Sequence, residues 1–291
     1  METSQVIAKV VGTAQDAGIP HVHCRCQYCS LARERREYQR YAASLAILLP
    51  EQQRWHLIDA TPDFCEQLEW VKTDYPGMGL MSSVLLTHAH IGHYTGLMYL
   101  GREAISTREL PVYAGPQMAG TLRSHVPWKQ LVELQNITIH PISARQPFVL
   151  DQNVTVTPLE VPHRNEYSET FCFILEGPHK KLLYIPDIDR WEQWEIDLAE
   201  IASTVDYCLL DGTFYSEAEL EARGRSYSEV PHPLLTQTMN LLQEVVNRGE
   251  TSVYFTHFNH TNPVIDRHNP FRKAVLDSGF LLADEGIEFV L

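Results

Sequence analysis

The sequence lacks long apolar runs and is poor in basic residues. No stretch of its 291 residues approaches the length of apolar chain that spans a lipid bilayer, and its first ten residues hold neither a basic region nor an apolar core. We therefore expect a cytoplasmic protein with no membrane contact. Lys and Arg total 23 against 37 Asp and Glu, and the net charge of −14 argues against a nucleic-acid partner, because phosphate backbones are bound by excess cations.

Internal repeats, low-complexity segments and recognisable linkers are also missing from the sequence. Apolar residues make up 44% of it, enough for a substantial core, and α/β folds of this length often form one unit. We therefore predict a single domain over residues 1–291.

Cysteine is sparse, but three of the six cysteines lie within residues 23–29, in the spacing Cys-x-Cys-x-x-Cys. In a reducing compartment such a cluster indicates a metal site and not a disulfide framework. Three thiolates in this spacing can bind one zinc ion, and a structural zinc takes four ligands, so the fourth comes from elsewhere. On proximity alone, His21 and His23 are candidates. The thiolates of this predicted zinc knuckle are those of Cys24, Cys26 and Cys29.

The remaining cysteines lie inside apolar segments, where each is interpreted as a small buried hydrophobe. No chemistry is assigned to them. They are Cys65, Cys172 and Cys208.

Residues 83–97 (SVLLTHAHIGHYTGL) begin as an apolar strand and end in a helical pattern. Three histidines, His88, His90 and His93, lie between the two. Alternate residues leaving a strand point the same way, so His88 and His90 can bind one ion, and His93 can face a second position beside it. One such histidine alone would be interpreted as a solvated loop residue. Three within six residues, directly after a strand, favour a metal site.

Three further predicted strands are followed by a residue that can bind a metal ion: His163, Asp187 and His257. Each of them alone would be interpreted as a surface residue or a turn former. Residues at the ends of several strands nevertheless converge in space when they are far apart in sequence. Their recurrence favours one shared site.

Strands and helices are interleaved in each half of the chain, which suits two packed sheets flanked by helices. Asp63 stands at the start of a predicted helix, where we favour a capping role over a catalytic one. Ser216 and Glu219 fit a capping box. The predicted segments include a strand over 6–13, a hairpin of 44–49 and 55–60, and helices over 64–72, 94–105, 191–203, 233–247 and 270–277.

The order of these motifs resembles the metallo-β-lactamase fold superfamily over nearly the whole chain. Within it, the sequence is most similar to the coenzyme PQQ synthesis protein B family, through the glycine loop with its cysteines, 61–63 (TPD), 205–214 (VDYCLLDGTF) and 259–266 (NHTNPVID). The knuckle combined with intact histidines also resembles the cyclic phosphodiesterase of phosphonate breakdown. The implied fold is α/β, a four-layer αββα sandwich.

The resemblance also implies metal ligands. In the phosphonate-pathway relative, a histidine three residues after the last metal-binding histidine completes the knuckle, and here that residue is His260. We therefore expect zinc in the knuckle and one or two Zn, Mn or Fe ions in the histidine centre. The implied ligands of that centre are His88, His90 and His163 for one ion and His93 and His257 for the second, with Asp187 bridging.

Gly92 departs from the superfamily pattern, because most members have Asp before the third histidine of the motif. Loss of that carboxylate removes an anionic ligand from the second position and lowers its expected affinity. Asp63 or Asp211 could compensate. The members that make the quinone cofactor have a degraded histidine motif, whereas this chain keeps it.

The leading hypothesis is a metal-dependent hydrolase that cleaves a small phosphodiester or ester-like substrate with a metal-bound hydroxide. Asp187 would orient the water or move a proton. His232 has two interpretations: a group that contacts or supports the substrate, or a structural residue. The alternative is an iron-dependent oxygenase or hydroxylase acting on a tyrosine-bearing peptide in PQQ biosynthesis. A third alternative is metal binding for folding alone. The expected partner is a small molecule or short peptide, and a homodimer is left open.

Overall fold

A computed structural model describes residues 5–291, which contain two facing seven-stranded sheets. The first sheet has, in spatial order, β14 (Glu288–Val290), β1 (Ile7–Gly12), β2 (Ser44–Leu49), β3 (Arg54–Ile58), β4 (Ser83–Leu85), β5 (Leu110–Ala114) and β6 (Ile137–Pro141). The second has β13 (Leu281–Leu282), β12 (Ser252–Thr256), β11 (Tyr207–Asp211), β10 (Lys181–Ile185), β9 (Thr170–Glu176), β8 (Val154–Val161) and β7 (Phe148–Asp151).

Helices cover the outer faces of both sheets. They are α1 (Gln27–Glu34), α2 (Phe64–Asp74), α3 (Ile91–Tyr94), α4 (Pro116–Ser124), α5 (Trp128–Glu133), α6 (Leu198–Ala202), α7 (Glu217–Glu221), α8 (Leu235–Arg248) and α9 (Pro270–Asp277). Within the described residues, no helix combines the length and apolarity needed to cross a bilayer.

The central strands are apolar on both faces because each sheet is buried on both sides. In β1, Ala8 and Val10 pack between the two sheets, whereas Ile7 and Val11 pack under the helices of the first sheet. This alternation follows from the two-residue period of a strand. The layers are therefore helix, sheet, sheet and helix, and the predicted αββα sandwich is confirmed.

Each sheet joins an antiparallel half to a parallel half. In the first sheet β3, β4, β5 and β6 run parallel, and in the second β10, β11, β12 and β13 do so. Parallel strands place their carboxyl ends at one edge, where open α/β sheets build their sites. The segments that carry the predicted metal ligands leave the sheets at these ends.

Two predicted helices are wrong in extent. The segment 94–105 is helical from Ile91, but its helix tightens to a 3₁₀ helix over Thr95–Leu100. The reason is a close approach, since the amide of Gly96 donates to Ala60 O (2.9 Å) and a Cβ at Gly96 would lie 2.3 Å from Thr61 O.

The segment 191–203 contains only a 3₁₀ turn and the short helix α6. Its helical spacing comes from Trp191 and Trp194, whose indole N–H groups donate to Thr238 Oγ1 and Glu160 O. The apolar residues therefore recur at helical spacing because both indoles bind distant parts of the fold, not because the segment forms a continuous helix.

Both predicted caps are wrong as well, because each carboxylate accepts hydrogen bonds from groups outside its own helix. The carboxylate of Glu219 accepts from the amide of Tyr215 (2.7 Å) and the hydroxyl of Thr261 (2.6 Å). Asp63 precedes α2 without capping it and instead accepts from the amide of Ala42 (2.7 Å). Cys65 is exposed, contrary to its expected burial, because it lies on the outer side of α2.

Truncation of the inter-sheet core should be costly. Phe173 on β9 is fully buried between the sheets, so Phe173→Ala should lower the free energy of unfolding by about 3–5 kcal/mol through lost burial and a cavity. Urea unfolding would measure this. The matched control is Phe271→Ala on α9, where the ring is half exposed and the expected loss is below about 1 kcal/mol. Equal losses would contradict the layer assignment.

Candidate metal centre

The three histidines after β4 form one face of a buried cluster. His88 and His93 are buried and His90 is partly exposed. The ring centroid of His88 lies 4.4 Å from that of His90 and 4.2 Å from that of His93. The turn into α3 therefore brings all three imidazoles together.

The loop after β8 adds a fourth imidazole on the His90 side. His163 Nε2 lies 3.3 Å from His90 Nδ1, and one ligand atom from each of His88, His90 and His163 falls within 4.8 Å of the others. The Nδ1–H of His163 donates to Asp189 Oδ1 (3.0 Å), which aims Nε2 at the cluster. These side chains meet as the predicted first ligand set requires.

Asp187, after β10, lies between this group and a second one. Its Oδ2 lies 3.1 Å from His93 Nε2 and 3.2 Å from His257 Nε2, and its Oδ1 lies 3.6 Å from His163 Nε2. The carboxylate thus faces both groups, the arrangement expected of a bridging ligand.

Several of these atoms lack a hydrogen-bond partner. Among residues 5–291, the buried and unpartnered side-chain atoms include the Nε2 atoms of His88, His93 and His257 and Asp187 Oδ2. Such groups are rare because an unsatisfied buried polar atom costs about 1–3 kcal/mol. Imidazole nitrogens and carboxylate oxygens grouped this closely are ligands for a divalent transition metal. The residues present therefore fit a metal ion.

The electrostatics keep most of the cluster in metal-binding form. Burial lowers the pKa of His88 well below its ordinary value and lowers that of His257 as well. Although burial opposes it, the imidazoles of His257 and His93 hold the pKa of Asp187 well below its usual range. Against burial, Asp59 and Asp187 raise the pKa of His93, so a metal ion binding there would displace a proton.

Groups behind the rings fix the tautomers. Asp59 is fully buried at φ +65°, accepts from the amide and hydroxyl of Thr87, and accepts from His93 Nδ1–H (2.7 Å). Thr87 Oγ1 in turn lies 2.9 Å from His88 Nδ1. These contacts leave Nε2 of both rings for the ion. Asp59 can be recognised by its position directly after β3, next to the strand that precedes the histidines.

Hydrogen bonds also fix the imidazole rings on the His257 side of the centre. The hydroxyl of Thr213 donates to Asp211 Oδ1 (2.7 Å) and lies 2.9 Å from His257 Nδ1. Asp211 Oδ2 accepts from His232 Nδ1–H (2.8 Å). His232 is buried at the border of the cluster, with its ring centroid 5.4 Å from that of His163.

The carboxylate nearest to Gly92 is neither of the two expected from the sequence. Asp211 lies in a potential ligand group with Asp187, His232 and His257, but its oxygens are engaged with His232 and Thr213. Asp63 binds the amide of Ala42. Asp16, in the loop after β1, instead places Oδ1 3.8 Å from His93 Nε2 and forms a potential ligand group with His93 and His257. No periodicity or motif predicts this contact.

The cysteine knuckle assembles against the loop after β12. His260 Nδ1 lies 3.6 Å from Cys24 Sγ and 3.5 Å from Cys26 Sγ, and these atoms with Cys29 Sγ all fall within 4.8 Å of one another. Burial lowers the pKa of His260 to about 4, so this imidazole is neutral and able to bind zinc.

The two rival candidates for the fourth ligand of the knuckle, His21 and His23, are not part of its ligand group. The ring of His21 stacks beside that of His260, at 4.6 Å between centroids, with its Nδ1 facing Val22 O. His23 is exposed. Neither belongs to the metal-competent groups found among the described residues.

A cavity of about 560 Å³ opens beside His90. Its wall includes three aromatic rings, from Tyr94, Trp128 and Tyr167, together with the cation of Arg164 and the anion of Asp16. A small molecule held there would lie next to the histidine cluster.

Comparison with known proteins agrees with this architecture. A model of the beta-lactamase superfamily domain matches residues 54–258. The chain is 28% identical to the coenzyme PQQ synthesis protein B of Methylococcus capsulatus over 98% of this chain and 100% of that protein. It is 26% identical to the protein of that name from a Methylobacterium species, over 98% and 99%.

Solved structures show the same fold. Zinc-bound PqqB from Methylobacterium extorquens has a TM-score of 0.80 and 24% identity, with 98% of this chain and all of that chain covered. A diphosphatase of the PhnP family has a TM-score of 0.70 and 20% identity, covering 99% and 97%. The chain therefore belongs to the beta-lactamase superfamily, close to the coenzyme PQQ synthesis B proteins.

Proposed function

We propose that this protein is a metal-dependent hydrolase of a small phosphodiester or ester-like substrate. One observation carries the proposal. Two groups of imidazoles share Asp187, and several of their ligand atoms are buried without a hydrogen-bond partner. A divalent ion bound there would lower the pKa of a coordinated water towards about 7 and polarise the bond to be cleaved. A zinc-bound PqqB and a diphosphatase of the PhnP family share this fold and support metal use and hydrolysis, respectively.

The chain's own groups would hold this chemistry in place. Asp187 stays ionised because the imidazoles around it offset its burial, so it can accept a hydrogen bond from water and orient it. Asp59 and Asp189 hold His93 and His163 with Nε2 inward. With Nδ1 engaged by Asp211, His232 has only Nε2 left to act on a substrate.

The metals are part of the proposal. We assign zinc to the knuckle of Cys24, Cys26, Cys29 and His260, and one or two Zn, Mn or Fe ions to the histidine centre. The proposed ligands of that centre are His88, His90, His163, His93, His257 and the bridging Asp187.

The cavity supports a small substrate. A volume of about 560 Å³ suits a molecule of metabolite size, and its aromatic wall suits a planar or apolar leaving group. The net charge of −14 disfavours nucleic-acid polymers. A short peptide would also fit this description. A cytoplasmic location, a single domain and a homodimer stay predictions.

A second candidate is favoured by the relatives. The full-length similarity to coenzyme PQQ synthesis B proteins supports a role in making that cofactor. The activity we propose for this role is iron-dependent oxygenation or hydroxylation of a tyrosine-bearing peptide. Histidine and carboxylate ligands suit iron as well as zinc. Iron in the purified protein, with oxygen uptake on adding a tyrosine-bearing peptide and no phosphodiester cleavage, would favour this candidate over hydrolysis.

His88→Ala should abolish hydrolysis, because it removes a buried ligand of the first ion. With bis(p-nitrophenyl) phosphate and added Zn²⁺ or Mn²⁺, we expect kcat/KM to fall at least about 100-fold, which corresponds to ~2.7 kcal/mol of transition-state stabilisation. His268→Ala, at an exposed position, is the matched control and should keep wild-type activity. Wild-type activity in the His88→Ala protein would refute the assigned centre.

Removal of one knuckle thiolate should cost one equivalent of zinc. Cys26→Ser leaves three ligands where a structural site takes four, so elemental analysis should show one zinc ion fewer per chain and thermal unfolding should begin at lower temperature. The control Cys65→Ser changes an exposed cysteine outside this cluster and should change neither. An unchanged zinc content in Cys26→Ser would rule out the knuckle.

A further inference from the structure

We propose that Asp16 is the carboxylate ligand of the second ion and replaces the aspartate that Gly92 lacks. The inference rests on the proposed metal centre and adds a ligand from a different part of the chain. The motif that usually supplies this group lies on α3, whereas Asp16 lies in the loop between β1 and the cysteine knuckle.

The position of Asp16 fits that of a ligand. Its Oδ1 lies 3.8 Å from His93 Nε2, and its ligand atom, that of His93 and that of His257 fall within 4.8 Å of one another. Two atoms bound to one ion at about 2.0–2.2 Å lie roughly 3 to 4 Å apart. With Asp187 Oδ2 beside both imidazoles, the second position gains four donors: two nitrogens and two carboxylate oxygens.

The imidazoles of His93 and His257 each have a nitrogen free to bind the second ion. His93 Nε2 and His257 Nε2 are buried, and neither has a hydrogen-bond partner. Asp16 is about one-third exposed and lines the cavity beside His90, so its carboxylate reaches the ion position from the open side. The second ion would therefore be closed by protein on one side and accessible from the cavity on the other.

Asp16 occupies the space that a side chain at position 92 would need. A Cβ at position 92 would lie 2.4 Å from Asp16 Oδ1 and 2.5 Å from Asp16 Cα. Contacts this short do not occur between real atoms, so any side chain at position 92 would push the loop away. The motif aspartate and Asp16 thus compete for the same space, and the glycine makes room for the replacement.

The Asp16 loop is held on both sides. The amide of Gln15 donates to Phe258 O (3.0 Å), and Asn259 Nδ2 donates to Gln15 Oε1 (2.6 Å). The amide of Gly18 closes the turn on Gln15 O (3.0 Å). Asp16 is therefore tied to the same segment that carries His257, as a ligand of a shared ion should be.

The test measures metal binding, not only catalysis. Wild type, Asp16→Asn and Asp16→Ala would be stripped with chelator, reloaded with Mn²⁺ or Zn²⁺, and analysed for metal per chain and for affinity by competition with a chelator. We expect wild type to bind two ions in the centre besides the knuckle zinc. In the variants the first ion should stay, while affinity for the second falls at least about 10–100-fold, the loss typical even for groups that merely orient a ligand.

Gly92→Ala provides a second variant that changes no donor atom. Its added methyl group should displace Asp16 and reproduce the loss of the second ion. The matched control is Gly120→Ala on α4, where an added Cβ meets nothing within 4 Å and metal content should stay unchanged. Asp63→Asn controls for loss of a carboxylate near the same loop, because its amide oxygen can still accept from Ala42. Circular dichroism of each variant would confirm that it folds.

The outcomes separate this inference from the proposed function. Tight binding of two ions in the centre of both Asp16 variants would overturn the inference and leave the hydrolase intact. A single ion in the wild-type centre would also overturn it, because no second ion would need a ligand. Reduced turnover with unchanged metal affinity would assign Asp16 to proton transfer and likewise overturn it. No ion in the wild-type centre would overturn both proposals.

Discussion

The buried carboxylate of Asp187 is the constraint on which this structure depends. Burial of an ionised carboxylate costs several kcal/mol unless opposite charges and hydrogen-bond donors surround it. Three imidazoles approach Asp187 within 3.1–3.6 Å, and they come from segments after β4, β8 and β12. Each of these segments must be positioned accurately for the charge to be tolerated, so the centre ties both sheets together at one edge.

The candidate ligands could be identified in the sequence because their positions follow local rules. His88, His163, Asp187 and His257 each follow a strand, and the carboxyl ends of parallel strands lie at a common edge. The apolar strands were equally accessible to prediction, since burial on both faces leaves continuous apolar runs. Spacing separated His88 and His90 from His93, whereas the resemblance to a known family supplied the assignment of His163, Asp187 and His257 to the two positions.

The remaining features depend on contacts between distant segments, which no local pattern records. Asp16 lies far from His93 in sequence, and only the folded chain brings the two together. Glu219 satisfies the local signature of a capping box, but its carboxylate accepts from the hydroxyl of Thr261, a partly buried donor from a distant segment. The segment 94–105 has helical spacing, but the close contact of Gly96 with Thr61 prevents a regular helix. In each case tertiary structure overrides a weak local preference.

The knuckle and the histidine centre are mechanically connected. His257 and His260 lie three residues apart in one loop, and the residue between them that packs inward, Phe258, accepts from Gln15 and donates to Thr13 O (2.7 Å). Zinc in the knuckle would hold His260 of this loop against the cysteine segment, which lies near the other end of the chain. The turn that carries Asp16 lies between β1 and the cysteines in the chain, and the neighbouring Gln15 is hydrogen-bonded to Phe258 and Asn259 of the loop. A structural ion distant from the chemistry would thus set the position of two groups in the centre, which gives the knuckle a role in organising the site as well as in folding.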